Sequence, residues 1–298
     1  AFGAEKVNTF ALGKGDTILQ SQYIGDLKNW ETFSFYTESL DRFRHLFRFT
    51  PSVLACDMHP DYLSSQEAER VAARTGLPLL KIQHHHAHAA ACMLEYGLHE
   101  KVVAIVLDGT GLGDDGKVWG GEFFLCDCKE YRRLSHFEYV PLPGGDKAAV
   151  EPWRMAVSYL WHYWGDSARF PEGFPERVGA DKIRLLMTMM ERGVNTPYTS
   201  GAGRLFDAVA SLLGLCDVST HQAEAPVKLE QAAGSEQSAR YPVIIKEGVI
   251  SFRPLFEGLL NDWASGVSVG DLAARFHNTM AFLLLDEAAR HLQQTGAT

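Results

Sequence analysis

The chain is short of positive charge. Its 298 residues carry 28 Lys and Arg against 37 Asp and Glu, a formal net charge of −9. That balance argues against nucleic acid as the main partner, because a phosphate backbone is usually met by a basic face. No apolar run reaches membrane-spanning length, so no membrane partner is expected. The start lacks the charged, apolar, small-residue order of a secretory signal. Cysteine is scarce: Cys56, Cys92, Cys126, Cys128 and Cys216 are the five, without a CxxC pair. An odd count argues against a disulfide framework and favours a reduced, cytoplasmic setting. Neither GxxxxGK[ST] nor a GxGxxG opening a helix occurs, so the P-loop and dinucleotide fingerprints do not apply. What is present supports packed cores: 46% hydrophobic residues and 17 Phe. The length exceeds the usual single-core size, so two lobes are expected.

Patterning divides the chain near Lys101. In the first lobe, residues 1–100, strand-like Val7–Leu12 and Thr17–Tyr23 flank Gly13–Asp16 as a hairpin. Trp30–Phe49 reads as an amphipathic helix with Phe33, Leu40, Phe43, Leu46 and Phe47 inward. Val53–Cys56 is a short strand that runs into Asp57, His59 and Asp61, polar groups at a strand end. Ser64–Gly76 is helical, and Leu79–Ile82 is a strand leading into the next helix. The order ββαβαβα predicts an α/β lobe with partly parallel strands. The second lobe, residues 101–298, opens with the continuous apolar strand Val102–Leu107, then a glycine-rich turn over Gly109–Gly116, then the strand Val118–Cys126.

Three stretches carry candidate chemistry. His84, His85, His86 and His88 place four of twelve histidines within five residues, just before an alanine run that favours helix. A helix opening at His84 sets His84 and His88 one turn apart on one face, a spacing that can hold a divalent transition metal. Packing histidines meet the same spacing, and no glutamate lies within the pair to serve as a metalloprotease base. Asp108 follows a buried strand and can orient a water or a metal. The glycines after it allow backbone N–H groups to approach anionic oxygens, although an ordinary glycine-rich hairpin explains them too. Further on, Gly203 and Asp207 fall one turn apart on a helix beginning near Gly203. A glycine admits a flat ring, and an aspartate can accept from two ribose hydroxyls; a solvated helix residue is the plainer reading. Pro141–Lys147 forms a rigid turn before Pro152, with Asp146, Lys147, Glu151 and Arg154 clustered around it.

Taken in order, HHHAH, LDGTGLGDDGKVWGGEF, PLPGGDKAAVEPWR, GRLFDAVASLLGL and FHNTMA resemble the carbamoyltransferase domain of the HypF family of hydrogenase-maturation proteins. The resemblance runs from about Asn8 to the last residues. It implies an actin-like (ASKHA) two-lobed ATPase fold with nucleotide between the lobes. It also implies one iron or zinc ion on His84 and His88. Gly109, Thr110, Gly111 and Gly113 then match a phosphate loop, and Gly203 and Asp207 an adenosine-binding segment. ATP or carbamoyl adenylate is the implied nucleotide, with magnesium as a candidate companion ion. The implied chemistry moves a carbamoyl group from carbamoyl adenylate to the C-terminal cysteine of a HypE-type partner, on the way to a cyanide ligand of a nickel–iron site. Asp108 and His85 are the catalytic candidates. A tRNA threonylcarbamoyl transferase-like enzyme and a non-catalytic nucleotide- or partner-binding fragment are the alternatives. Complete family members carry upstream adenylate-forming domains, and a C-terminal segment with two strands and a third, aspartate metal ligand. The sequence therefore reads as a fragment with an incomplete second lobe, an exposed sheet edge and weak activity on its own.

Overall fold

A computed structural model describes residues 1–234 and 238–297. The chain divides into two compact units, Ala1–Ala87 and His88–Thr298.

The first unit begins with the hairpin β1 (Ala11–Lys14) and β2 (Thr17–Gln20), paired antiparallel with Lys14 opposite Thr17. The turn is therefore only Gly15 and Asp16, with Gly15 at φ +57°, as a tight two-residue connection requires. The upstream strand is shorter than expected: Val7 sits at φ +52° and cannot extend it. Helix α1 (Trp30–Leu46) starts at Asn29, whose side chain accepts from Thr32 N–H at 3.1 Å. Phe33, Leu40 and Phe43 pack onto a core of Phe10, Leu27, Tyr36 and Leu54. Leu46 and Phe47, expected to face inward, are 74% and 40% exposed because the helix ends there and Arg48 turns to φ +48°. Strand β3 (Leu54–Asp57), helix α2 (Leu63–Thr75) and strand β4 (Leu79–Ile82) form a βαβ unit. The strands are parallel, from Leu54 opposite Leu79 to Asp57 opposite Ile82. Parallel strands need a crossover, and α2 supplies it before Gly76 ends it in the left-handed region. Helix α3 (His84–Glu95) follows β4 directly, and the division between the units falls inside it.

The second unit is built on one sheet. Its long hairpin joins β5 (Val102–Leu112) to β6 (Val118–Cys126), and β7 (Tyr131–Phe137) pairs antiparallel with β6 on the other side. Short strand β8 (Val140–Pro141) leads into helices α4 (Lys147–Val150), α5 (Trp153–Trp164), α6 (Phe174–Val178) and α7 (Ala180–Glu191). Strand β9 (Tyr198–Thr199) and helices α8 (Ala202–Leu212) and α9 (Glu224–Ala232) come next. The chain then makes the hairpin β10 (Ile244–Lys246) and β11 (Val249–Ser251), helix α10 (Arg253–Ala264) and helix α11 (Val269–Thr295). Strand β11 joins the sheet parallel to β7. The helices bury a core that includes Phe137, Tyr159, Leu205, Phe256 and Phe276. Among the described residues β5 pairs only with β6, so it forms an edge of the sheet.

The glycine-rich segment departs from expectation. Most of it is strand: β5 runs on to Leu112, with a register shift against β6 between Leu107 and Gly111. Only Gly113–Gly116 turns, closed by Gly113 N–H donating to Lys117 O at 2.8 Å. Two of the five cysteines are exposed: Cys92 on α3 and Cys128 beyond the end of β6.

Candidate metal and nucleotide site

The parallel pairing of β3 and β4 determines what stands at the start of α3. Asp57 ends β3 beside Ile82, the last residue of β4, and His84 opens α3 two residues later. The His84 ring Nδ1 lies 2.6 Å from Asp57 Oδ2, although 27 residues separate them in the chain. The other Asp57 oxygen accepts from His59 N–H at 2.9 Å. Gln83 holds the same helix start. Its Oε1 accepts from His86 N–H at 2.9 Å, and its Nε2 lies 3.1 Å from His85 Nδ1. His85 has no exposed surface. Its ring is enclosed at the start of α3, so solvent access lends the expected catalytic role of His85 no support.

His84, His88 and Asp108 each present a ligating atom, all within 4.8 Å of one another. Helical spacing brings the two imidazoles to one face. Asp108 lies in β5 where its pairing to β6 slips. An imidazole, imidazole, carboxylate set suits zinc or ferrous iron. His88, Cys92 and Met93 of α3, with Val102–Leu107 of β5, border an open cavity of about 630 Å³.

The glycines have a different physical reason from the one expected. Gly109 N–H donates to Asp108 Oδ1 at 2.6 Å, and Gly113 N–H is used in the turn. Neither is turned toward an outside anion. A Cβ on Gly113 would meet the Trp119 indole at 2.1 Å, one on Gly201 would meet Gly109 O at 2.6 Å, and one on Gly203 would meet Gly109 Cα at 3.1 Å. Gly113 thus leaves room for the Trp119 indole of β6, while Gly201 and Gly203 let α8 lie directly against β5. Gly111 is buried and paired with Trp119, whereas Thr110 is exposed. The turn is tied down by Asp115, which accepts from Trp119 Nε1 at 2.9 Å and from Tyr139 O–H at 2.6 Å. Underneath, the wholly buried Glu122 accepts from Gly120 and Gly121 N–H, Ser200 Oγ at 2.6 Å and Arg133 Nε at 2.6 Å. Asp207 is 2% exposed and forms an ion pair with Arg204 at 2.8 Å. Among the described residues its Oδ2 has no hydrogen-bond partner despite that pair, and burial pushes its carboxyl up to about 6 against the pull of Arg204. Gly203 faces the Gly109 backbone, and Asp207 is buried beside Arg204.

Two family models match the chain. Residues 1–95 match the HypF Kae1-like domain, and residues 104–298 match the second subdomain of the Kae1-like carbamoyltransferase domain. The chain belongs to the HypF carbamoyltransferase family. A carbamoyltransferase HypF homolog of Cupriavidus necator is 38% identical over 99% of the chain and 77% of its own length. HypF2 of the same organism is 40% identical over 79% of the chain, which spans 29% of that longer protein. A crystal structure of full-length HypF in a phosphate- and nucleotide-bound form superposes with a TM-score of 0.92 at 36% identity, covering 99% of the chain and 38% of that protein. HypF of T. kodakarensis superposes at 0.91 with 30% identity, covering 99% and 40%. The mixed α/β fold is thus that of the HypF Kae1-like domain, consistent with an actin-like fold. The match begins at residue 1, earlier than the sequence motifs placed it.

Within the HypF framework, the sequence singles out His84, His88 and Asp108, and the structure brings these three together. Sequence reasoning misses Arg204, whose Nη2 would lie 3.4 Å from a Cβ on Gly109, and it marks Asp57 only as a polar residue at a strand end. The GRLFD motif contains Arg204, but nothing in its spacing sets it beside Gly109. No helix among the described residues is long and apolar enough to cross a membrane.

Proposed function

We propose that this chain carries the carbamoyl-transfer site of a hydrogenase-maturation protein, with carbamoyl adenylate as donor and the C-terminal cysteine of a HypE-type protein as acceptor. The observation that carries the reading is the convergence of His84, His88 and Asp108 in a chain of the HypF carbamoyltransferase family. In the transfer, the acceptor thiolate attacks the carbonyl carbon, the bond from that carbon to the AMP phosphate oxygen breaks, and AMP leaves with the electron pair. The product is an S-linked thiocarbamate, a precursor suited to becoming a cyanide ligand. His84, His88 and Asp108 would hold a single iron or zinc ion, which when bound supplies Lewis-acid stabilisation of developing negative charge. Arg204, beside Gly109 and paired with Asp207, would supply positive charge for the leaving phosphate should it lie near that stretch. Thr110 offers the exposed hydroxyl of the same stretch, and α8 packed on β5 keeps both in place. The nucleophile belongs to the acceptor, so none of this chain's cysteines is required. Adenylate-forming domains, which longer relatives have room to carry, would supply the donor.

The test is transfer itself. Metal-loaded protein is mixed with carbamoyl adenylate and a cysteine-terminated acceptor, and the acceptor is weighed by mass spectrometry. Gain of one carbamoyl group is expected for the wild type. His84→Ala and His88→Ala are each expected to lose bound metal and at least 100-fold in transfer rate, with unchanged circular dichroism. Transfer at the wild-type rate by both metal-free variants rules the reading out.

A further inference from the structure

A metal-ligating imidazole has two ring nitrogens, and the partner of one decides which is left for the ion. His84 meets this condition through Asp57. The Asp57 side chain is 7% exposed and that of His84 15%. One Asp57 oxygen faces the His84 Nδ1 at 2.6 Å, and the other accepts from His59 N–H at 2.9 Å. The carboxylate is thereby anchored at both ends. Its backbone is fixed as well, since Asp57 pairs with Ile82 at the end of the two parallel strands, and Met58 N–H donates to Ile82 O at 3.0 Å. A charge-assisted hydrogen bond at this distance sets the ring plane and keeps the proton on Nδ1.

We infer that Asp57 is the positioning residue of the metal centre: it holds His84 as the Nδ1–H tautomer, so that Nε2 is the ligating atom, and it strengthens that nitrogen as a donor. The inference rests on the assignment of His84, His88 and Asp108 as ligands and adds a fourth residue that touches no metal. Its signature differs from that of a merely structural aspartate. Loss of Asp57 changes the affinity and the ligand field of the ion while leaving the metal-free fold in place.

Cobalt(II) titration of the metal-free chain, followed by visible absorption, tests this. Wild type is expected to bind one equivalent with a saturable d–d spectrum. Asp57→Asn, which keeps the size and an oxygen for His59 N–H, is expected to bind 10- to 100-fold more weakly, with a shifted spectrum. Its metal-free melting curve is expected to match the wild type. Equal affinity and an identical spectrum for Asp57→Asn, with loss of binding in His84→Ala, overturn the role of Asp57 and leave the metal centre standing. Failure of the wild type to bind cobalt overturns both. Long-range proton–nitrogen NMR of the wild type reads the same point without a variant: His84 carrying its proton on Nε2 in the metal-free chain overturns the inference.

Discussion

Asp207 shows what burial does to a single carboxyl. Its ion pair with Arg204 lowers the cost of charge, yet desolvation is the larger effect and brings the group up to about 6. The folded value lies above the ordinary aspartate value of about 3.9. The native state therefore holds this proton more tightly than the unfolded chain. The stability it contributes is fully present below about pH 4 and is lost as pH rises through about 6. Its size is on the order of 2–3 kcal/mol, since each tenfold gain in proton affinity is worth about 1.4 kcal/mol. Urea unfolding of the metal-free chain between pH 4 and pH 8 should show that decline in the wild type. Asp207→Asn should lack it, since an amide does not titrate. Sequence could read Asp207 as one turn from Gly203, because that follows from helical period. It could not read the burial, which comes from elements packed around α8.

At the scale of elements, the contact that shapes the candidate nucleotide region is α8 against β5. It is made by small residues on both sides, and Glu122 secures the turn into α8 through Ser200. Gly201→Ala places a methyl group 2.6 Å from Gly109 O, a backbone atom that cannot swing aside. The expected loss is about 1–3 kcal/mol, the usual range for overpacking. Gly13→Ala, on an open face of β1 with nothing within 4 Å, should stay within about 0.5 kcal/mol of wild type. Equilibrium denaturation of the two variants side by side checks both. The same contact explains why the glycine run from Gly109 looks like a turn in the sequence and is not one. Glycine clusters punctuate most chains as turns, but here they permit close approach of helix to strand, and a one-dimensional pattern does not separate those causes. Helix α3 is legible for the opposite reason: its alanine run and histidine spacing are local signals.

Over the whole molecule, the described buried residues of Ala1–Ala87 form one core and those of His88–Thr298 form two. Phe10, 1% exposed, anchors the core of Ala1–Ala87 against Tyr36 and Phe43 at ring separations of 6.1 and 5.1 Å. Phe10→Ala is expected to cost that unit about 3–5 kcal/mol. Trp30 is the one tryptophan of the first unit and is 74% exposed, whereas the other five lie in His88–Thr298. Tryptophan emission therefore follows the second unit. In metal-free protein its unfolding midpoint should be unchanged by Phe10→Ala, while far-ultraviolet circular dichroism gains an earlier transition. A joint shift of both signals would show that the units unfold together.

Sequence alone determined the features that depend on near neighbours: a helix beginning at His84, two imidazoles on one of its faces, an aspartate closing an apolar strand, and an acidic charge balance. Those follow from backbone period and side-chain chemistry within a few residues. Tertiary structure decided which of them meet. The register of β3 against β4 sets Asp57 behind His84 across 27 residues, the pairing of β5 with β6 slips at Asp108, and the packing of α8 encloses Asp207. Strand pairing and helix packing join residues far apart in the chain, and the energy that selects their partners is shared over many contacts, so no local pattern records the choice.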